Sequence, residues 1–200
     1  VWGAWLYQGG THRTCEIVAD FVKMLDPELN YHLYCDCFYG GLELAKWLTS
    51  SAPNVRYTLS CISTRPTFLF KNKLNLKLEK KSFNSLSKKK DKMFALSLND
   101  RKMCNFISNS FSNQTHEKIT KKNQKITIPA LVHDYNLHMH GVDKANSFAN
   151  LYRSKHRNVK WTMAAFHAVF RIAVCNSWLL YSDIYRSKKI SQLDFLTSLL

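Results

Sequence analysis

The sequence has 200 residues, 46% of them apolar, and carries 29 Lys and Arg against 14 Asp and Glu, a net charge of +15. That much apolar material excludes a disordered tail, because its burial can offset the ordering entropy of the chain. Six Gly and four Pro exclude an architecture made mainly of turns, and the basic excess points toward polyanionic partners.

Val1 to Tyr7 (VWGAWLY) reads as a strand closed by Gly9 and Gly10. With neither an initiator Met nor a signal peptide, the sequence is expected to be a fragment that starts inside a folded element. Thr14 to Leu25 places Ile17, Phe21, Val22 and Leu25 at helical spacing, with Asp26-Pro27 as the stop. Tyr31 to Cys37 is a second strand, Leu42 to Leu48 a helix led by Gly40-Gly41, and Val55 to Ile62 a third strand. Alternation of strand and helix predicts an α/β sheet with crossover helices.

The pattern then changes. Residues 65 to 125 hold 16 Lys or Arg and four acids, so twelve of the fifteen net positive charges fall in this segment. Within it, Lys92 to Leu98 and Lys102 to Ser108 read as strands of a hairpin turning at Asn99-Asp100. The whole is expected to be a basic β-rich insertion, with Lys88, Lys89 and Lys90 read equally as a solvated face or as a polyanion contact. The predicted organisation is a first part of the core over 1–63, the insertion over 64–128, helices over 129–186 and a tail over 187–200.

Helical periodicity returns after Pro129, strongest over Gly141 to Tyr152 and Val159 to Tyr185. In the second helix His167 and Arg171 share one stripe, and Trp161, Val169, Ile172 and Leu179 are expected to pack inward. Trp161 to Tyr181 is long enough to span a bilayer, but it carries His167, Arg171, Asn176 and Ser177, so a helix buried in protein is expected and no membrane partner. The six cysteines form no C-x-x-C pair and are read as reduced thiols. His133, His138 and His140 are close in sequence, yet zinc wants four ligands, and they are not read as a metal site.

Asp36 is the single acid in an apolar strand, and Asp143 the single acid in the first turn of a helix. A charge at a buried strand end needs a partner, commonly a basic side chain or a divalent cation. Each also has a purely structural explanation: Asp36 can cap the turn into the next helix, and Asp143 can favour a helix N-terminus through the macrodipole. The residues alone leave both open.

Read as blocks, the acids fall into a wider pattern. YHLYCDCFYGGLELAKWL (Tyr31 to Leu48) and IPALVHDYNLHMHGVDKAN (Ile128 to Asn146) resemble the second and third catalytic blocks of the piggyBac transposase family. YRSKHRNVKW (Tyr152 to Trp161) and AVCNSWLLY (Ala173 to Tyr181) are similar to its closing helices. The resemblance implies an α/β fold, a partial ribonuclease H-like core of DDE/D type interrupted by the basic insertion. It also implies truncation at both ends, with the first catalytic Asp expected before Val1.

In such a site two divalent cations, Mg2+ or Mn2+, sit about 4 Å apart between three carboxylates, and Asp36 and Asp143 would supply two of them. Asn146 stands where many members carry a further Asp and would add an uncharged oxygen. Cys37 replaces a usual Asn, Gly40-Gly41 a Thr-Ser-like turn, and Thr162 a second Trp. The basic joint Arg153, Lys155, Arg157 and Lys160, with Arg65 and Lys71, is expected to meet DNA phosphates. The implied function is DNA binding and, in a complete chain, metal-dependent cleavage and strand transfer in cut-and-paste transposition. DNA at transposon ends and target, a homodimer and a nuclear location go with it. The alternative is a catalytically inactive, transposon-derived DNA-binding or interaction protein, which Asn146 and the missing first acid favour. A basic RNA-binding protein unrelated to transposition is a third reading.

Overall fold

The structure, a computed structural model, describes residues 14–62, 79, 82–88, 92–119, 123, 125–152, 160–185 and 190–199. The expected strand over Val1 to Tyr7 lies outside them. The chain forms two units, Gly10–Met139 and Val1–Gly9 with His140–Leu200.

In the first unit, α1 (Thr14–Lys23) buries Val18, Ala19 and Val22 on one side. It ends in a tighter turn, with Met24 N–H donating to Phe21 O and Leu25 N–H to Val22 O, ahead of Pro27. Strand β1 (Tyr31–Cys35) runs parallel to β2 (Val55–Cys61), Tyr31 opposite Val55 and Cys35 opposite Leu59. Parallel neighbours need a crossover, which α2 (Leu42–Ser51) supplies while burying Leu42, Leu44, Ala45 and Leu48. At its end the Thr49 hydroxyl donates to Ala45 O and meets the Tyr57 hydroxyl at 2.9 Å, tying helix to strand.

The sheet continues past β2 with β5 (Met103–Ser108), β4 (Met93–Asn99) and β3 (Phe83–Lys88), all antiparallel to their neighbours, in the order β1-β2-β5-β4-β3. The expected hairpin is present, Asn99 pairing with Met103 across its turn. These strands fall in the segment expected as an insertion over 64–128 and are hydrogen-bonded into the same sheet as β1 and β2. The reason is composition on a finer scale. MFALSLN and MCNFIS contain no charged residue, and the lysines of this segment lie around them.

Helices α1 and α2 cover one face of the sheet, where Val18, Val22, Leu44 and Leu48 meet Leu59, Ala95 and Ile107. Helix α3 (Ala130–His138) covers the other, with Leu131, Val132 and Tyr135 against Phe94, Leu96 and Phe106. With both faces covered, β4 buries Met93 through Ser97 in succession, the pattern of a central strand. The buried Ser97 hydroxyl donates to Asn105 Oδ1 at 2.5 Å across the β4–β5 pair. A separate two-stranded sheet, β6 (Thr115–Ile119) with β7 (Lys125–Pro129), turns near Asn123, which adopts φ 59°, and leads through Pro129 into α3.

The second unit has α4 (Gly141–Leu151), α5 (Trp161–Ile184) and α6 (Gln192–Ser198). The last falls in the expected tail, where Ser191 accepts from Asp194 N–H at 3.1 Å and donates to the Asp194 carboxylate, a cap at each side of the helix start. Phe148 meets Trp178 edge to face, Trp178 Nε1 donates to Ile190 O, and Gln192 Nε2 donates to Phe148 O. The expected packing face of α5 is corrected: Trp161, Val169 and Leu179 are exposed, and the one buried residue is Cys175. The half-buried His167 and Arg171 lie on its stripe, four residues apart. A helix apolar on all sides gives its periodicity no face to select. By length and composition α5 is long and apolar enough to cross a membrane, with 6% of that window buried.

Candidate metal-ligating acids and nucleic-acid interface

β1 stops at Cys35 because Asp36 turns the chain. Its Oδ1 accepts from Phe38 N–H at 3.0 Å and Tyr39 N–H at 3.3 Å, and its carbonyl accepts from Gly40 N–H at 2.7 Å. The structural explanation for this acid therefore holds: one oxygen organises the turn. The residue is exposed, and Oδ2 accepts no hydrogen bond among the described residues. Gly40 is pressed onto β2, and a Cβ there would lie 1.8 Å from Ser60 O. Only glycine permits that approach, which fixes the turn on the sheet.

Helix α3 holds the strand end from the other face. Tyr135 hydroxyl donates to Cys35 O at 3.3 Å, and Tyr34 hydroxyl donates to Asp134 Oδ2 at 2.7 Å. Burial, with the charge of Asp36 adding to it, pushes the Tyr135 phenol and the Cys35 thiol each up to about 12. Burial also raises Tyr34, helped by its bond to Asp134. Tyr34 lies between two imidazoles, stacked on His32 at 4.3 Å and on His138 at 4.8 Å. His138 Nδ1 reaches Asp134 O at 2.9 Å, and His32 Nε2 meets Thr58 Oγ1 at 3.0 Å. Burial lowers His32, while Asp134 opposes the shift.

These supports were not singled out in the sequence, although Tyr34, Asp134 and Tyr135 all lie inside the two catalytic-block resemblances. No local signal in the sequence marks them, because the Tyr34–Asp134 bond joins residues 100 apart. Of the three histidines, His133 stacks on His116 at 4.0 Å, His138 turns to Tyr34 and Asp134, and His140 lies 3.7 Å from Asp143. All six cysteines are free, with Cys37 exposed.

Asp143 sits in the first turn of α4 with its side chain 82% exposed, so the macrodipole explanation also applies to it. Asn146 is one turn further on, exposed, and shares its face. Asp36 belongs to the first unit and Asp143 with Asn146 to the second. Among the described residues no three His, Cys, Asp or Glu gather as a metal site. In kind, two carboxylates and an amide are the hard oxygen donors that Mg2+ takes. Of the expected phosphate-contacting residues, Lys160 is exposed at the N-cap of α5. Arg65, Lys71, Arg153, Lys155 and Arg157 lie outside the described residues, as do Lys89 and Lys90.

Comparison with known proteins places the chain in a family. The family described as Transposase IS4 matches residues 5–178, a span that includes Asp36, Asp143 and Asn146. Among solved structures, a piggyBac transposase synaptic complex with hairpin DNA is similar at a TM-score of 0.75 and 19% identity. The likeness covers 93% of this chain and 38% of that one. The chain belongs to the IS4 transposase family and has the mixed α/β fold of the piggyBac transposase.

Proposed function

We propose that the chain carries part of a DDE/D-type phosphoryl-transfer site acting on DNA, in a ribonuclease H-like core, with Asp36 and Asp143 as metal-ligating carboxylates and Asn146 as a neutral oxygen beside the second. The observation that carries this reading is that the family match spans two acids whose carboxylates both face solvent, one at a strand end fixed from both faces of a sheet. Mg2+ or Mn2+ bound there would activate an attacking oxygen and stabilise a leaving one. The chain's own residues do the positioning. Asp36 Oδ1 holds the turn, leaving Oδ2 to a ligand, and Tyr135 and the Tyr34–Asp134 pair fix the strand end that carries it. Lys160, with Arg65, Lys71, Arg153, Lys155 and Arg157, supplies phosphate contacts. DNA cleavage and strand transfer, a homodimer and a nuclear location complete the proposal. Helix α5 is read as packing on protein, since His167 and Arg171 are half-buried on the side of Cys175.

The second reading, a DNA-binding or interaction protein without the chemistry, is favoured by Asn146 in place of an acid. Calorimetry with Mn2+ separates the two. Asp36→Asn keeps an oxygen for the Phe38 and Tyr39 amides and removes the charge, so a metal site loses affinity while the fold persists. Metal binding unchanged by Asp36→Asn and by Asp143→Asn overturns the first reading.

A further inference from the structure

The end of the sheet that carries Asp36 also carries the tip of a hairpin. β1 and β2 run parallel and finish at the same end, at Cys35 and Cys61, and the turn of Asp36 follows there. Antiparallel β5 starts where β2 finishes, with Asn105 opposite Cys61. The residues that join β4 to β5, Asp100, Arg101 and Lys102, therefore project from that end too. All three are exposed, and none of their side chains makes a hydrogen bond or ion pair among the described residues. Ile62, just past β2, and Met103, the first residue of β5, are 37% and 39% exposed, so this end of the sheet is not covered. One thiol records how close the two loops come. Burial raises Cys104, and the charges of Asp100 from the tip and Cys37 from the turn add to it.

Strand geometry gives the separation. Asp36 follows the Cys35–Leu59 pair and is level with Ser60 and its partner Phe106. Lys102 precedes Phe106 by about 13 Å along β5, and β5 lies two strand spacings, about 10 Å, from β1. Tip and turn are then about 16 Å apart, a length over which one strand of duplex DNA presents several phosphates, one for about every 3.4 Å of axis. We infer that Arg101 and Lys102 clamp the DNA backbone a few nucleotides from the phosphodiester bound at Asp36, each meeting a phosphate. The inference rests on the phosphoryl-transfer reading and adds two residues that position the DNA. Such contacts fix register and read no sequence. Asp100 offsets one of the two charges, so the tip acts through placed side chains more than through bulk charge.

The test follows binding of the whole chain to a duplex oligonucleotide, by fluorescence anisotropy, over a series of salt concentrations. Each phosphate contact adds about 0.9 to the slope of log affinity against log salt, so Arg101→Gln combined with Lys102→Gln should lower that slope by about 1.8. Arg101→Lys keeps the charge and should keep the slope. Lys23→Gln removes one charge at the opposite end of the sheet, where α1 leads toward the start of β1, and should leave the slope unchanged. A slope retained by the double variant, with urea stability equal to that of the unaltered chain, overturns the inference. So does an equal fall per charge in Lys23→Gln, which would mean that only net charge counts. Either result leaves the phosphoryl-transfer reading standing, since that reading is decided by Mn2+ binding at Asp36 and Asp143. No binding of the duplex at low salt overturns both.

Discussion

The two units hold their acids in opposite ways. In Gly10–Met139 a five-stranded sheet is covered on both faces, and the turn after β1 is fixed by one carboxylate oxygen, a glycine against a carbonyl, and two tyrosines reaching from or toward α3. In His140–Leu200 the 24-residue helix α5 buries one residue, α4 buries none, and Asp143 stands on an exposed first turn. An acid at a rigid sheet edge is positioned by packing. An acid on an exposed helix is positioned by whatever that helix meets. The contrast locates precision in the first unit and adaptability in the second.

The strongest way to break this contrast is Gly40→Ala. With a Cβ 1.8 Å from a backbone oxygen, the turn must leave the sheet, and a loss above about 4 kcal/mol is expected in urea unfolding. A loss below about 1 kcal/mol would mean that the turn does not depend on close approach. Next comes a matched pair of truncations. Leu96→Ala, at a residue 1% exposed between two helical layers, should cost about 2–5 kcal/mol. Leu180→Ala, at a residue 62% exposed on α5, should change stability by about 0.5 kcal/mol or less. Equal costs would show that α5 is packed as tightly as the sheet.

A smaller effect sharpens the role of α3. Tyr34→Phe removes the donor to Asp134 and leaves the ring between His32 and His138, so about 1–2 kcal/mol should be lost. In Asp134→Asn an amide oxygen can still accept from Tyr34, and a smaller loss is expected. The smallest effect is one of pH. Burial depresses His32 below its ordinary 6.5, so the unfolded chain takes up a proton first as pH falls. The stability linked to this imidazole is present above 6.5 and lost as pH drops through the folded value. His32→Gln should flatten unfolding free energy against pH in that window, and an unchanged slope would remove His32 from the account.

Much of the first unit was legible in the sequence because its signals are local. Strand, Gly40-Gly41 turn, Leu-Ala helix and strand each announce themselves, and Asn99-Asp100 marks the hairpin. What the charge average over sixty residues did not show was where its strands pair. The lysines lie around MFALSLN and MCNFIS, and those charge-free runs enter the main sheet. β3 and β6 escaped notice because FNSLSK and THEKI are short, polar and without alternation. In α5 the difficulty is reversed, since apolar residues on every side leave no face to choose. The acids were singled out in the sequence, yet the supports of Asp36 were not. A Tyr–Asp bond between residues 100 apart is a product of the tertiary fold, visible only once α3 covers the sheet that holds β1.

The central claim is that Asp36 performs two tasks with two oxygens, holding its turn with Oδ1 and offering Oδ2 to a divalent cation. Mn2+ titration by calorimetry on the intact chain and on Asp36→Asn tests it most directly, with urea stability measured on the same samples. The account predicts near-equal stability, because the amide oxygen still accepts from Phe38 and Tyr39, and at least a tenfold loss of Mn2+ affinity. Unchanged Mn2+ affinity, or an intact chain that binds no Mn2+ at all, would contradict it.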